Sequence, residues 1–126
     1  MTTAVKLEWT WVHPYESTRL WNIPQRAGIY EVMTKLKDSD RYRRDYVGQS
    51  TDLHHRAADH LSANEPNSCL RDTVQKYVCA FRYALVSPEA DRLDAEQALY
   101  DKYRHRCNTS RPPGSGRSPR PPVEEE

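Results

Sequence analysis

"AGIYEVM" at 27–33 and, after a charged turn, "RDYVGQSTDLHHRAADHL" at 44–61 are the two stretches whose reading decides the fold. In the first, Tyr30 and Val32 alternate with Ile29 and Met33, the period of a strand, in residue types that favour one. "LKDSDRY" at 36–42 supplies turn chemistry and "DYVG" at 45–48 a short second strand, so the pair predicts an antiparallel hairpin. "STD" at 50–52 then offers capping side chains ahead of Leu53, Ala57 and Leu61, which recur at helical spacing.

Working outward, "NSCLRDTVQKY" at 67–77 places Leu70, Val74 and Tyr77 on one helical face. "VCAFRYALV" at 78–86 alternates Cys79, Phe81, Tyr83 and Leu85 with Ala80, Arg82 and Ala84, a third strand. Ser87 and Pro88 open a last helix expected to reach about Arg106. The predicted fold is therefore α/β in the α+β sense: a small three-stranded, mostly antiparallel sheet flanked by helices, in the order β-β-α-α-β-α. Residues 1–23, with three tryptophans, read as an N-terminal arm packed on a domain spanning 24–108. Within that arm Leu7, Trp9 and Trp11 alternate with polar residues, suggesting one buried face. Residues 109–126, rich in Pro, Gly, Ser and Arg, offer almost nothing to bury and are expected to be disordered.

A chain of 126 residues suits one domain rather than two. No apolar run approaches bilayer length and the N-terminus lacks a signal-peptide core, so no membrane association and a cytoplasmic location are expected. The three cysteines contain no CxxC pair, which predicts buried thiols rather than a disulfide framework or a zinc site. The net charge of +1 does not by itself announce a polyanion partner, but Arg41, Arg43 and Arg44 cluster beside the first turn.

Several residues resist a purely structural reading. Glu96 lies three residues after Leu93 and four before Tyr100, so it emerges from the expected apolar stripe Leu93, Leu99, Tyr100 and Tyr103. A buried carboxylate without a partner costs on the order of several kcal/mol. Glu96 therefore needs either a cationic partner or a cleft in which a metal ion neutralises it. Arg56 and His60 are four residues apart, at the shoulder of the Leu53–Ala57–Leu61 stripe. Gly28 and Gly48 permit close approach of a backbone or ligand, beside Tyr30 and Tyr46.

Taken together these residues resemble the GIY-YIG nuclease family. "GIY" stands at 28–30 and "YVG" at 46–48, with valine in place of isoleucine. Arg56 is similar in spacing to the family's catalytic arginine, His60 to the histidine of its homing-endonuclease branch, and Glu96 to its metal-binding glutamate. Asn108 resembles the asparagine found beyond that glutamate in the excision-repair branch, where a lysine occupies the place of Met33. The resemblance covers roughly residues 24–108, and the spacer between the tyrosines is long for the family.

The resemblance implies a DNA endonuclease that hydrolyses phosphodiester bonds with one magnesium ion, manganese substituting. It implies Glu96 as the metal ligand, with Tyr30, Tyr46, Arg56, His60 and Glu96 as the catalytic set. Tyr30 would act as general base, its pKa lowered by Arg56 and the cation, or would position the attacking water. Arg41, Arg43, Arg44 and Asn108 would contact substrate, and Gly28 and Gly48 would shape the site. No DNA-reading module is recognisable, so specificity would come from the arm, the loops, the tail or a protein partner. The rival reading is a catalytically inactive nucleic-acid-binding module on the same scaffold.

Overall fold

The computed structural model describes residues 3–37 and 39–126; Met1 and Thr2 of the arm and Asp38 of the charged turn lie outside the described residues. In chain order the elements are β1 (Val5–Leu7), β2 (His13–Pro14), a 3-10 segment (Ser17–Asn22), β3 (Gly28–Lys35), β4 (Tyr42–Ser50), α1 (Leu53–Leu61), α2 (Ser68–Lys76), β5 (Cys79–Leu85), α3 (Glu89–Tyr103) and β6 (Val123–Glu125). The predicted hairpin, both short helices and the third strand are all present.

The main sheet has four strands rather than three, ordered β2-β5-β3-β4, and every pairing is antiparallel. Its extra strand, β2, has two residues, too few for alternation to register in the sequence. Pro14 fits there because β2 is an edge strand. A separate two-stranded parallel sheet joins β1 to β6.

Each face of the sheet buries a distinct cluster. Tyr30, Val32 and Phe81 pack with Leu53 and Ala57 of α1 and Leu70 of α2. On the other side Ile29, Val47 and Ala84 pack with Ala95 and Leu99 of α3, together with Val5 and Leu7 of the arm. Full burial of a side chain such as Leu53 or Phe81 contributes about 1.5–3 kcal/mol. Asp52 caps α1 by accepting from the His55 amide, and Asn67 caps α2 by accepting from that of Leu70.

Helix α3 stops three residues before the expected Arg106, because Arg104 turns left-handed at φ 52°. Its buried residues are Arg92, Asp94, Ala95 and Leu99, which differs from the predicted stripe of Leu93, Leu99, Tyr100 and Tyr103. The reason is that α3 is covered on two sides, by the sheet and by the C-terminal segment.

That segment, residues 109–126, was expected to be disordered and instead runs along α3. Ser115 and Arg117 bond Asp94, Arg111 grips Asp101 through two bonds of 2.8 Å, and Arg120 reaches Asp101 at 3.0 Å. The chain then pairs with β1, and the Glu125 carboxylate accepts from Trp9 Nε1 (2.9 Å), Tyr103 Oη (2.7 Å) and Lys102 Nζ (3.0 Å). Composition weighs only apolar burial, whereas ion pairs and a strand ladder hold this segment.

Two further expectations are corrected. The arm does not bury an alternating face: Trp9 lies under the Arg82 guanidinium at 4.0 Å, but Trp11 is 89% exposed. Cys69 and Cys107 form a disulfide, leaving Cys79 as a buried free thiol. The pair joins α2 to the segment after α3, a proximity across 38 residues that spacing rules do not reveal. Among the described residues, no helix is long and apolar enough to cross a membrane.

Candidate active site

β4 is an edge strand, and α1 and α3 flank it from opposite faces of the sheet. Tyr30 sits opposite Gly48 in the β3–β4 register. Its ring lies across that glycine: a Cβ at position 48 would fall 2.5 Å from Tyr30 Cζ and nearer still to the hydroxyl. Gly28 is similarly constrained, since a Cβ there would meet the Ala84 carbonyl and come within 2.9 Å of Leu53 Cδ1. These are the close approaches that the two glycines suggested.

The Tyr30 hydroxyl lies 2.6 Å from His60 Nε2, and both side chains are fully buried or nearly so. Tyr46 completes an aromatic cluster, its ring 6.1 Å from that of Tyr30 and 5.2 Å from the His60 imidazole. Arg56, one helical turn before His60, is half-buried, and its guanidinium faces both phenols. Position i to i+4 on α1 puts the two groups on one face.

Burial pushes the Tyr30 hydroxyl well above the ordinary tyrosine pKa, and Tyr46 adds to the rise. Arg56 pulls in the expected downward direction but is outweighed, so Tyr30 is a neutral phenol at neutral pH. Burial also raises Tyr46, again against Arg56. The His60 imidazole moves the other way: burial lowers its pKa despite the pull of Glu65.

Glu96 stands on α3 on the opposite flank of β4. Burial raises its carboxyl to about 7, with the Gln49 backbone N–H opposing the rise. Arg92, one turn earlier, makes no ion pair with it and spends its guanidinium on Gln49 Oε1 at 3.0 Å and the Val86 carbonyl at 3.2 Å. No cationic group pairs with Glu96 among the described residues, so the ion-pair alternative is not realised there. A partly buried carboxylate without counter-charge suits a cation. No group of three or more His, Cys, Asp or Glu side chains converges among the described residues. One hard oxygen donor fits magnesium, which keeps much of its water shell, and does not fit zinc.

The chain is similar to the GIY-YIG N-terminal endonuclease domain of UvrC from Thermotoga maritima. A tyrosine-to-phenylalanine point mutant of that domain, bound to its catalytic divalent cation, aligns at TM-score 0.56 and 20% identity, over 74% of this chain and 93% of that one. The same domain bound to magnesium aligns at TM-score 0.55 and 21% identity, over 73% and 93%. The fold is that of the GIY-YIG domain. No protein-family model and no curated protein matches the sequence.

Within this GIY-YIG fold the proposed substrate residues do not form one patch. Arg43 pairs with Asp45 at 2.9 Å and lies near the Tyr77 ring, on the α1/α2 side. Arg44 faces α3, 3.3 Å from Glu31 and 3.7 Å from the Tyr103 ring. Neighbouring residues on a strand point to opposite faces, which separates them. Arg41 alone of the three is exposed. Asn108 has both ends of its amide on the Val47 peptide, accepting from its N–H and donating to its carbonyl at 3.0 Å each. It thus pins the residue between Tyr46 and Gly48 instead of reaching outward.

Glu65 was missed by the sequence pattern. It comes from the α1–α2 loop, and its Oε2 lies 2.9 Å from His60 Nδ1. Nothing in its spacing distinguishes a glutamate five residues beyond a histidine; only the path of the loop joins them.

Proposed function

We propose that this chain is a metal-dependent endonuclease that hydrolyses DNA phosphodiester bonds at a single-metal active site. The observation that carries the reading is a convergence at the β4 edge. Tyr30, Tyr46, Arg56 and His60 gather on its α1 side, and Glu96, a carboxylate with no cationic partner among the described residues, lies close enough from the α3 side to raise the Tyr46 pKa.

Glu96 would hold Mg2+, for which Mn2+ could substitute. When bound, the ion supplies charge stabilisation at the scissile phosphate and the leaving oxygen. Arg56 offers its planar fork to the same phosphate. Tyr30 accepts a proton from the attacking water as its own phenolic proton passes to His60 Nε2, which removes the need for a preformed phenolate. Tyr46 orients the water, Gly48 leaves room for the Tyr30 ring, and Asn108 steadies Tyr46 through Val47. Arg41 remains a phosphate contact; Arg43 and Arg44 are engaged elsewhere.

The test is cleavage of plasmid and branched DNA in magnesium. The wild-type chain cuts, whereas Glu96→Gln binds DNA with the same salt dependence and does not cut. Magnesium raises the melting temperature of the wild type and leaves that of Glu96→Gln unchanged. A wild-type chain that binds DNA but never cuts would be an inactive binding module, and cutting by Glu96→Gln would remove the metal role.

A further inference from the structure

Glu65 lies outside every residue so far given a role, yet its setting is closely defined. It sits in the loop between α1 and α2 and is 3% exposed. Its backbone is held at both ends: the amide donates to the Ser62 carbonyl at 3.1 Å, and its own carbonyl accepts from Arg71 Nη1 at 3.3 Å. Its carboxylate is divided between two nitrogens. Oε1 accepts from the Asn67 amide at 3.2 Å, and Oε2 faces His60 Nδ1 at 2.9 Å.

We infer that Glu65 is a positioning residue that fixes the His60 tautomer and so makes His60 the acceptor for the Tyr30 proton. This rests on the endonuclease reading above for its catalytic consequence, but not for its structural content. An ionised carboxylate can only accept hydrogen bonds. Set against Nδ1, it requires the imidazole hydrogen to lie there. A neutral imidazole carries one hydrogen, so Nε2 presents a lone pair, and Nε2 is the atom 2.6 Å from the Tyr30 hydroxyl. The phenol must then donate. The chain of contacts runs from carboxylate to imidazole to hydroxyl, the logic of a catalytic triad with tyrosine in the serine position.

The step balances without another reactant. The water proton moves to the Tyr30 oxygen, the Tyr30 proton moves to His60 Nε2, and the imidazolium that forms is stabilised by Glu65. With Nδ1 unprotonated instead, Nε2–H would point at the phenol and the transfer would be blocked. Glu65 touches neither substrate nor metal in this scheme and acts only through His60.

Glu65→Gln is the sharpest variant. The residue keeps its size, but one of its two ends becomes an NH2 donor and cannot accept from both Asn67 and His60. Two measurements are made on the full chain. The first is long-range 1H–15N correlation NMR of the His60 ring near pH 8, with neither DNA nor metal. The second is steady-state cleavage. The expected result is an Nδ1–H tautomer in the wild type and a shift toward Nε2–H in Glu65→Gln. With it kcat falls by about a hundredfold, the low end of general acid–base contributions, while KM is unchanged. Glu65→Asp, which restores an accepting carboxylate, recovers part of the rate and the Nδ1–H form.

A wild-type ring protonated at Nε2 overturns the inference, and that measurement needs no variant to fold. So does a folded Glu65→Gln with wild-type kcat. A wild-type protein that shows the Nδ1–H tautomer but cuts no DNA in magnesium would refute the endonuclease reading while leaving the positioning of His60 by Glu65 intact.

Discussion

Tyr30 meets three requirements at once: it faces a glycine, is buried in an aromatic cluster, and holds its hydroxyl against an imidazole. Because burial keeps the phenol protonated, the proposed base role of Tyr30 would run through proton exchange with His60, not simple ionisation. Tyr30→Phe removes one oxygen and leaves the ring stacked on Phe81. The cleavage rate should fall at least about a hundredfold, which corresponds to about 2.7 kcal/mol of barrier. Stability should change by only about 1 kcal/mol from the partner lost at His60. Single-turnover cleavage and urea melts measure the two, and a wild-type rate would exclude Tyr30 from the proton path.

At the scale of elements, the decisive piece is the short segment after α3. A β-bulge between Val32 and Met33 leaves Asp45 unpaired in the ladder, next to Tyr46. The segment after α3 latches onto that bulge. Arg106 Nε reaches Asp45 Oδ1 at 3.0 Å, the Cys107 amide donates to the Asp45 carbonyl at 2.6 Å, and Asn108 clamps Val47. The Cys69–Cys107 disulfide ties the latch to α2. Replacing both cysteines with serine, or adding a thiol reductant, should lower stability by about 2–4 kcal/mol. Denaturation with and without reductant checks this. Under denaturing conditions one thiol should react before reduction and three after it.

At the scale of the molecule, the C-terminal segment closes the far side of α3. Asp94, Gln97 and Asp101 meet it, and by helical geometry Glu96 lies on another flank. Removing residues 109–126 should therefore spare the tyrosine cluster while destabilising the fold by at least about 2 kcal/mol, chiefly through the donors left around Glu125. Asp94, Asp101 and Glu125 all have lowered pKa values. Burial opposes the shift at Asp94 and Glu125, where hydrogen bonds win, and bonds to Arg111 lead it at Asp101. Their contribution is fully present above the ordinary carboxylate range and is lost as pH falls through the depressed native values. The stability difference between full-length and truncated chains should thus shrink in acid, from about pH 5 downward. A difference independent of pH would show that the ion pairs contribute nothing.

The hairpin, α1, α2 and β5 were legible in the sequence because each carries its own periodicity, and a local period survives without knowledge of neighbours. Gly48, Tyr30, Arg56 and His60 were legible as candidates for the same reason, all lying on two well-patterned stretches. The order of Arg41, Arg43 and Arg44 suggested a patch, but strand alternation and partners from distant segments divided it. Glu65, the Cys69–Cys107 bond, the two-residue β2 and the packing of 109–126 had no local signal at all. Local periodicity therefore determined the hairpin, the helices and β5, but not the face that α3 buries or the short strands β2 and β6. Which charges meet was decided only when the chain folded, because an ion pair or a proton path depends on distance in space, and sequence separation does not encode that distance.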